Sequence, residues 1–269
     1  MEMRSAIVVG ATGLVGSELI KQLCESDEYV AITVIARRAL DYSHPKLVVQ
    51  IREFDALAES DMEFAHEIFC CLGTTIKKAG SREIFEKIDV EYPVQIAAMA
   101  KNRGIQHMIV ISAMSANEKS FAYYNRVKGK MEKELIDIDL PQLSIVRPSL
   151  LVGNRSEFRL GEKMGAAVLA VLNPLLIGPL KLYRSIKAEQ VALAMMVIAL
   201  HGKKSKVAIY SSNELAQMTM PEIEEEPEVT REDLFNWNKL NAENILDEEV
   251  TFDKSKMQQY KAEQDTPKD

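Results

Sequence analysis

The 269-residue sequence is poor in cysteine, tryptophan and aromatic side chains, with three cysteines, one tryptophan and an aromatic content of 6%. Three cysteines are too few for a disulfide framework, and the adjacent pair Cys70 and Cys71 has no spacing suited to a metal, so we expect small core residues in a reducing cytosol. The four histidines are scattered, without an acid or cysteine at ligand spacing. The sequence therefore predicts no metal site.

A basic excess is also missing, which argues against a nucleic-acid partner. The formal net charge is −7, and it is concentrated in the tail from Pro221 onward, where fifteen acidic residues face six basic ones. The first 220 residues hold 27 basic and 25 acidic residues and are close to neutral. No nucleic-acid surface is predicted from this balance.

No run of apolar residues reaches the length of a membrane span. The longest, residues 164–180, is shorter than the roughly 20 residues that a spanning helix needs, and Asn173, Pro174 and Pro179 interrupt it. We therefore expect no stable membrane insertion. The segment is expected to cover a substrate cleft or a subunit interface, which leaves a homo-oligomer open; plain core and membrane-surface contact are the alternatives. Because residues 1–5 lead straight into a predicted strand, no targeting signal is recognised, and the protein is expected to be cytoplasmic.

Strands and helices alternate along the chain, and the strands are continuous β-branched runs such as "YVAITVIA" and "IQHMIVI". The predicted elements include a long helix between the N-cap Ser81 and the stop Gly104, a strand over residues 140–153 and a helix over residues 185–202. This alternation is typical of an α/β fold, a doubly wound parallel sheet with helices on both faces. Such sheets bind their ligands at the carboxyl ends of the strands. We expect this domain to cover residues 1–215, with substrate-cleft insertions near 155–185, and residues 216–269 to form an acidic, partly disordered tail.

The glycines of "VVGATGLVG" follow the first strand and open the first helix, a placement typical of a Rossmann-type dinucleotide site. Their spacing lets backbone amides approach a pyrophosphate, which the N-terminus of the helix stabilises. The residues predicted to bind the cofactor in this turn are Gly10, Thr12, Gly13, Leu14, Val15 and Gly16. A tight turn without a ligand is the alternative.

The end of the second strand indicates which nicotinamide dinucleotide is bound. An acid at this place holds the free ribose 2′-hydroxyl, whereas an arginine accommodates a 2′-phosphate. The sequence has Arg37 and Arg38 and no acid there, which favours NADP(H); two surface arginines are the alternative. Asp55, after the third strand, is predicted to accept a hydrogen bond from the adenine amino group, with a solvated turn acid as the alternative.

Three tyrosines are followed by a lysine four residues later, and their position in the fold chooses among them. The pairs are Tyr42/Lys46, Tyr124/Lys128 and Tyr183/Lys187. Pro45 interrupts the first pair, and the third lies in an apparent loop. Tyr124 and Lys128 share one face of the helix that follows the fifth strand, and that strand ends at Ser112.

These three side chains suit carbonyl reduction by hydride transfer, in which a developing oxyanion needs a proton. A tyrosine supplies it when a nearby ammonium favours the phenolate, and a serine hydroxyl positions the carbonyl oxygen. The lysine can also hold the nicotinamide ribose. Tyr124, Lys128 and Ser112 are therefore the predicted catalytic residues.

The sequence resembles short-chain dehydrogenases/reductases of the atypical branch, most closely the Tat-interacting-protein subfamily and its bacterial relatives. The motifs that carry the resemblance are "GATGLVGSEL", "CLGTTIKKAGS", "KIDVEYP", "ISAMSAN", "YYNRVKGKME" and "SIVRPSLLVGNR". They span residues 6 to about 155, with a looser match to about 200 through "SIKAEQVALAM", and "CLGTT…KAGS" is the specific one.

The resemblance implies that Tyr124 is the acid/base, Lys128 its partner and Ser112 the hydroxyl that orients the carbonyl. It also implies that Gly73 and Thr74 line the adenine-ribose side of the cofactor, and that the backbone around Pro148 meets the nicotinamide. Relatives often carry a second serine where this sequence has an alanine at position 113, so Ser115 remains an alternative to Ser112.

Two functions follow from the sequence. The first is an NADP(H)-dependent oxidoreductase that acts on a small-molecule carbonyl or alcohol. The second is a non-catalytic NADP(H)-binding regulator or sensor that acts through a protein partner. Only the enzyme needs the serine, tyrosine and lysine together, and the sequence has all three, which favours the enzyme.

Overall fold

The structure is a computed structural model that describes residues 3–153 and 184–221. Its strands are β1 (Arg4–Val9), β2 (Tyr29–Ala36), β3 (Leu47–Ile51), β4 (Glu67–Cys70), β5 (His107–Ile111), β6 (Gln142–Arg147), β7 (Leu151–Val152), β8 (Ile186–Lys187) and β9 (Val207–Ser211). Seven of them form one parallel sheet in the order β3-β2-β1-β4-β5-β6-β9, and β7 and β8 pair in parallel separately. The predicted doubly wound α/β fold is confirmed.

Helices cover both faces of this sheet. They are α1 (Leu14–Glu25), α2 (Ile76–Ala79), α3 (Arg82–Glu86), α4 (Tyr92–Asn102), α5 (Tyr123–Ile138), α6 (Ala188–His201) and α7 (Ser212–Gln217), with short 3-10 turns at Phe54–Ala56 and Glu59–Asp61. Alternate residues of β1 enter opposite cores: Ala6 and Val8 pack with α1 and α6, while Ile7 and Val9 pack with α4 and α5. Burial on both faces explains the continuous apolar strands.

The helix predicted between Ser81 and Gly104 is interrupted by a wider turn. Ser81 caps α3 as predicted, because its Oγ accepts a hydrogen bond from the Ile84 N–H at 3.2 Å. Gly104 follows the end of α4 with a φ of +75°, in the left-handed region that glycine adopts easily. Between α3 and α4, the segment Lys87–Glu91 is π-helical. That turn was not predicted.

Two predicted elements have different bounds in the structure. The strand expected over residues 140–153 ends at Arg147, because Pro148 has no N–H to donate to the sheet, and β7 follows as a separate strand. The helix expected over residues 185–202 begins at Ala188, after the short strand β8.

The apolar segment 164–180 and the tail beyond Pro221 lie outside the described residues. The predicted domain boundaries and the roles expected for these two segments therefore remain predictions. Within residues 3–153 and 184–221, no helix is both long enough and apolar enough to cross a membrane.

Candidate dinucleotide and active site

The turn between β1 and α1 is shaped by two glycines that no larger residue can replace. Gly10 has a φ of +82°, and a Cβ there would lie 2.5 Å from the carbonyl carbon and oxygen of Cys71. A Cβ on Gly16 would lie 2.3 Å from the Gly10 carbonyl oxygen. The turn therefore packs directly against the loop that follows β4, at the point where the sheet order reverses between β1 and β4.

The N-terminus of α1 offers backbone N–H groups without competing side chains. Gly13 is the N-cap, no side chain caps the helix, and its first turn, which starts at Leu14 and Val15, contains no acid. Thr12 is exposed beside it, and the Gly13 N–H closes the turn by donating to the Gly10 carbonyl oxygen at 2.9 Å. An uncapped helix end of this kind binds anionic groups, so the turn fits a dinucleotide pyrophosphate.

The predicted adenine-side residues lie at the same edge of the sheet. Arg37 and Arg38 follow β2, are exposed, and pair with no carboxylate among the described residues. Asp55 already has two protein donors: Lys87 Nζ lies 2.7 Å from its Oδ1, and the Tyr92 hydroxyl donates to that oxygen at 3.0 Å. The hydrogen bonds from Lys87 and then Tyr92 lower the pKa of Asp55. Its predicted contact with adenine stays a prediction.

Ser112 is buried and has no hydrogen-bond partner for its hydroxyl. It follows β5, where its N–H donates to the Val146 carbonyl oxygen at 2.8 Å. Four side chains of the described residues have a buried polar atom without a hydrogen-bond partner. In two glutamines and Asp89 another side-chain atom forms a hydrogen bond, whereas the Ser112 hydroxyl forms none. The alternative serine, Ser115, is exposed. A buried unpaired hydroxyl is costly, so this one calls for a ligand or water that supplies the missing bond.

Tyr124 and Lys128 lie on α5 in contrasting environments. Tyr124, in the first turn, is 40% exposed, whereas the side chain of Lys128 is 3% exposed. A Cβ on Gly129 would lie 2.3 Å from the Glu118 backbone nitrogen, so this glycine lets α5 approach the loop after β5 closely. The close approach fixes the distance between this helix and the loop that follows Ser112.

Asp89, which the sequence reasoning did not identify as a site residue, pairs with Lys128. Its Oδ1 lies 2.8 Å from Lys128 Nζ, and its Oδ2 accepts the Thr74 N–H at 2.8 Å. Burial lowers the pKa of Lys128, but the charges of Asp89 and Tyr124 and the hydrogen bond to Asp89 outweigh burial and raise it overall. The sequence contained one signal: Asp89 lies four residues after the buried Phe85, so a regular helix would already turn this acid towards the core.

The loops that follow β4 and β6 lie at the same carboxyl edge of the sheet as the glycine turn. Gly73 lies beside the ion pair, since a Cβ there would be 3.6 Å from Asp89 Oδ1 and 3.8 Å from Lys128 Nζ. Pro148 is buried, and its carbonyl oxygen accepts the Met114 N–H at 3.2 Å. The glycine turn, Gly73, Ser112 and Pro148 therefore all follow strand ends at one edge of the sheet, and Lys128 of α5 reaches the loop after β4 there; their roles stay predictions.

Two further features concern metal ions and the other two tyrosine–lysine pairs. The described residues contain no group of three or more His, Cys, Asp or Glu side chains placed to hold a metal ion. Lys46, of the first pair, lies directly before β3, and its Nζ donates to the carbonyl oxygen of Ser26, shortly before β2, at 2.7 Å. This pair is therefore at the amino ends of the strands and not at the carboxyl ends. Tyr183, of the third pair, lies outside the described residues.

Comparisons with known proteins agree with this geometry. Residues 10–166 match the model of a family described as NAD(P)H-binding. The chain is 30% identical to "Protein FMP52, mitochondrial" of Eremothecium gossypii over 228 residues, which cover 81% of this chain and 98% of that protein. It is 32% identical to "Protein HTATIP2" of Rattus norvegicus over 167 residues, which cover 60% of this chain and 69% of that protein.

Solved structures share the fold. MoeE5 in complex with UDP-glucose and NAD aligns with a TM-score of 0.59 at 15% identity, over 78% of this chain and 79% of that one. A putative NAD-dependent epimerase/dehydratase from Bacillus halodurans aligns with a TM-score of 0.56 at 15% identity, over 80% of this chain and all of that one. At these identities the likeness concerns the fold.

The expectation of a cytoplasmic location is wrong by this comparison. Relatives from Debaryomyces hansenii, Eremothecium gossypii and Candida albicans carry the name "Protein FMP52, mitochondrial". The expectation rested on few, unpaired cysteines and on the absence of a recognisable signal. Reduced thiols do not distinguish the cytosol from another reducing compartment.

Proposed function

The chain belongs to the NAD(P)H-binding family, as an atypical protein of the short-chain dehydrogenase/reductase type, and from this premise we propose that it is an NADP(H)-dependent oxidoreductase acting on a carbonyl or alcohol. The observation that carries the proposal is the buried Ser112 hydroxyl, which lacks a partner at the same edge as the glycine turn. A substrate carbonyl oxygen would supply the missing acceptor.

In this proposal each side chain has its own role. The Ser112 hydroxyl donates to the substrate oxygen and orients it, and the partly exposed Tyr124 gives a proton to the oxygen as negative charge develops there. Lys128, four residues after Tyr124 on α5, would stabilise the phenolate and would hold the nicotinamide ribose. A bound nicotinamide would supply or accept the hydride. Oxidation of an alcohol reverses these proton movements.

Arg37 and Arg38 support NADP(H) over NAD(H). Both guanidinium groups are exposed and have no carboxylate partner in residues 3–153 and 184–221, so they are free to bind a 2′-phosphate. We expect R37A/R38A to weaken NADPH binding about 10- to 100-fold while changing NADH binding less than about threefold, because a hydrogen bond to a charged group contributes roughly 1.5–3 kcal/mol. Arg103→Ala, at the opposite edge of the sheet, is the control. Equal loss for both cofactors would contradict NADP(H) selectivity.

The catalytic proposal is tested with Tyr124→Phe and its neighbour Tyr123→Phe. NADPH consumption is followed over a panel of aldehydes, ketones and quinones, and NADPH affinity is measured separately. Tyr124→Phe should lower turnover about 100-fold or more with affinity intact, as expected for a lost general acid. Tyr123, whose hydroxyl donates to Glu86 Oε1 at 2.8 Å, should be replaceable without that loss. Equal turnover in the native protein and Tyr124→Phe would remove Tyr124 from the mechanism.

A non-catalytic NADP(H)-binding regulator is the second candidate, and the Lys128–Asp89 pair favours it. A lysine whose charge is balanced by a buried carboxylate favours a phenolate less than a lone ammonium does. The regulator predicts tight NADPH binding, no turnover across the panel, and no effect of Tyr124→Phe on binding. Turnover that depends on Tyr124 would reject it.

A further inference from the structure

Asp89 has a fully buried carboxylate that contacts two groups from different elements: one oxygen forms an ion pair and the other accepts a hydrogen bond. Lys128 comes from α5, and the Thr74 N–H comes from the loop after β4. The side chains of Asp89 and Lys128 are 0% and 3% exposed, so neither charge is stabilised by bulk water. A buried pair persists only when its other hydrogen-bonding positions are satisfied as well. Here the Thr74 N–H satisfies the second carboxylate oxygen.

The chemistry of this position requires a carboxylate and not merely a polar side chain. Both neighbours of Asp89 are donors, an ammonium and a backbone N–H. A carboxylate presents two accepting oxygens, whereas an asparagine amide presents one oxygen and one NH₂ group. An amide at position 89 would therefore direct a donor at either Lys128 or Thr74, and one of the two contacts would be lost.

The wide turn between α3 and α4 places this residue. The π-helical segment Lys87–Glu91 leaves Asp89 and Val90 both buried, one directly after the other. Single π-helical turns insert an extra residue into a helix and are frequent at functional sites. The fold thus accommodates an irregular turn whose result is a buried charge beside the predicted reacting groups.

We propose that Asp89 is a positioning residue of this site: its carboxylate sets the place and the net charge of Lys128 and, through Thr74, holds the loop on which the nicotinamide cofactor binds. The inference rests on the proposed NADP(H) site. Asp89 acts through Lys128 and Thr74 and does not itself touch the reacting atoms.

The charge balance around Lys128 depends mainly on Asp89. The ionisable groups that act on the ammonium are Asp89, Tyr124 and Cys70 at the end of β4. Burial raises the pKa of the Cys70 thiol to about 11, so this thiol is neutral at physiological pH. Removing the charge of Asp89 would leave burial as the main influence on Lys128, so the pKa of its ammonium should fall, and the pH dependence of any step that needs this positive charge should move to lower pH.

The test compares Asp89→Asn with Glu67→Gln in the full-length protein. Glu67 is also fully buried and also accepts from a cation and a neutral donor, Arg4 and the Tyr29 hydroxyl, but it lies at the other end of β4. NADPH affinity is measured by fluorescence titration, and the pH profile of turnover is measured with the best substrate from the panel. Thermal melting confirms that each variant is folded.

We expect Asp89→Asn to weaken NADPH binding about tenfold or more, the value of one hydrogen bond to a charged group, and to move the pH profile down by about half a unit or more. Glu67→Gln should lower the melting temperature but change affinity less than about twofold and leave the profile in place. If Asp89→Asn is folded and has native affinity with an unchanged profile, the proposal is wrong. If the native protein binds NADPH without turnover, the proposed enzyme fails, and the affinity comparison still tests Asp89.

A double variant keeps the proposal testable if Asp89→Asn does not fold. Lys128→Met removes one donor, so the single oxygen of an asparagine at position 89 is then free to accept the Thr74 N–H. Replacing both buried charges with neutral groups is also tolerated better than breaking the pair. Relative to Lys128→Met, the K128M/D89N variant should bind NADPH with the same affinity within about twofold. A further tenfold loss would show that Asp89 acts independently of Lys128 and would overturn the proposal.

Discussion

Replacing Ser112 with alanine should stabilise the protein in the absence of ligand while it damages function. The reason is the environment of the Ser112 hydroxyl, which is buried after β5 without a hydrogen-bond partner. Folding moves this hydroxyl out of water and supplies no replacement bond. Such a group lowers the free energy of unfolding, and it is retained when a ligand uses it.

The change in the free energy of unfolding on replacing Ser112 with alanine has two opposing contributions. An unpaired buried hydroxyl costs about 1–3 kcal/mol. Removing its oxygen leaves a void smaller than a methyl group, whose cost is at most about 1 kcal/mol. The net expectation is a gain of about 1 kcal/mol in the free energy of unfolding, or about 2–4 °C in Tm for a domain of this size. Losing a donor to the reacting oxygen should lower turnover about 100- to 1,000-fold.

A matched serine provides the control. Ser144 on β6 is equally buried, but its Oγ lies 2.9 Å from His107 Nε2 and forms a hydrogen bond with it. Ser144→Ala leaves a buried imidazole nitrogen without its partner, so it should destabilise the protein by about 1–3 kcal/mol without affecting chemistry. Urea unfolding of the native protein and both variants, without cofactor, shows whether each substitution raises or lowers the free energy of unfolding. Turnover of NADPH measures the functional effect.

The outcome of this comparison is decisive. If Ser112→Ala destabilises the protein as much as Ser144→Ala does, the Ser112 hydroxyl is bonded in the ligand-free state, and the reasoning from its missing partner is refuted. If Ser112→Ala is stabilising but turnover is unchanged, the hydroxyl is unpaired but does not contact the substrate, and Ser115 becomes the candidate for orienting the carbonyl.

Three further predictions use other parts of the structure. Gly10→Ala should abolish measurable NADPH binding, because its Cβ would lie 2.5 Å from the Cys71 backbone at a φ of +82°; native-like affinity in a titration would show that the turn does not approach the cofactor. Burial, followed by the charge of Arg4, lowers the pKa of His107 to about 4, so folding favours the neutral ring: its contribution is complete above the unfolded pKa of about 6.5 and is lost as the pH falls towards 4, by roughly 3 kcal/mol in total. Urea unfolding at pH 7 and at pH 4.5 should show a smaller loss in His107→Gln than in the native protein, and equal losses would contradict this assignment. Gly129→Ala should lower Tm, because its Cβ would meet the Glu118 backbone nitrogen at 2.3 Å; an unchanged melting curve would mean that α5 is not held against that loop.

The fold was predictable because its signals are local. Continuous β-branched runs indicate strands buried on both faces, and the glycine turn after the first of them indicates a helix that begins at a binding site. The break at Pro148 and the short strand β8 were missed, because a two-residue strand leaves no periodic pattern.

The ion pair at the centre of the site was not predictable in the same way. A helical period places Asp89 near the buried face, but the π-helical segment and the partner from α5 depend on how two helices pack. Lys128, by contrast, was found from its spacing to Tyr124. The sequence thus predicted two site residues that are linked by helix geometry and did not predict Asp89, which is linked to Lys128 only through tertiary structure.

The two edges of the sheet differ in one buried polar group, the unpartnered Ser112 hydroxyl, and this difference supports the proposed site without reference to any motif. At the amino ends of the strands, Glu67 accepts from Arg4 and Tyr29, and His107 is bonded to Ser144. These groups are paired within the protein, as buried polar groups in a stable scaffold are. At the carboxyl ends Asp89 and Lys128 are paired as well, but the Ser112 hydroxyl has no protein partner within the described residues, and the start of α1 has no side-chain cap. Because an unpaired buried group costs free energy, an edge that retains one is completed by something it binds.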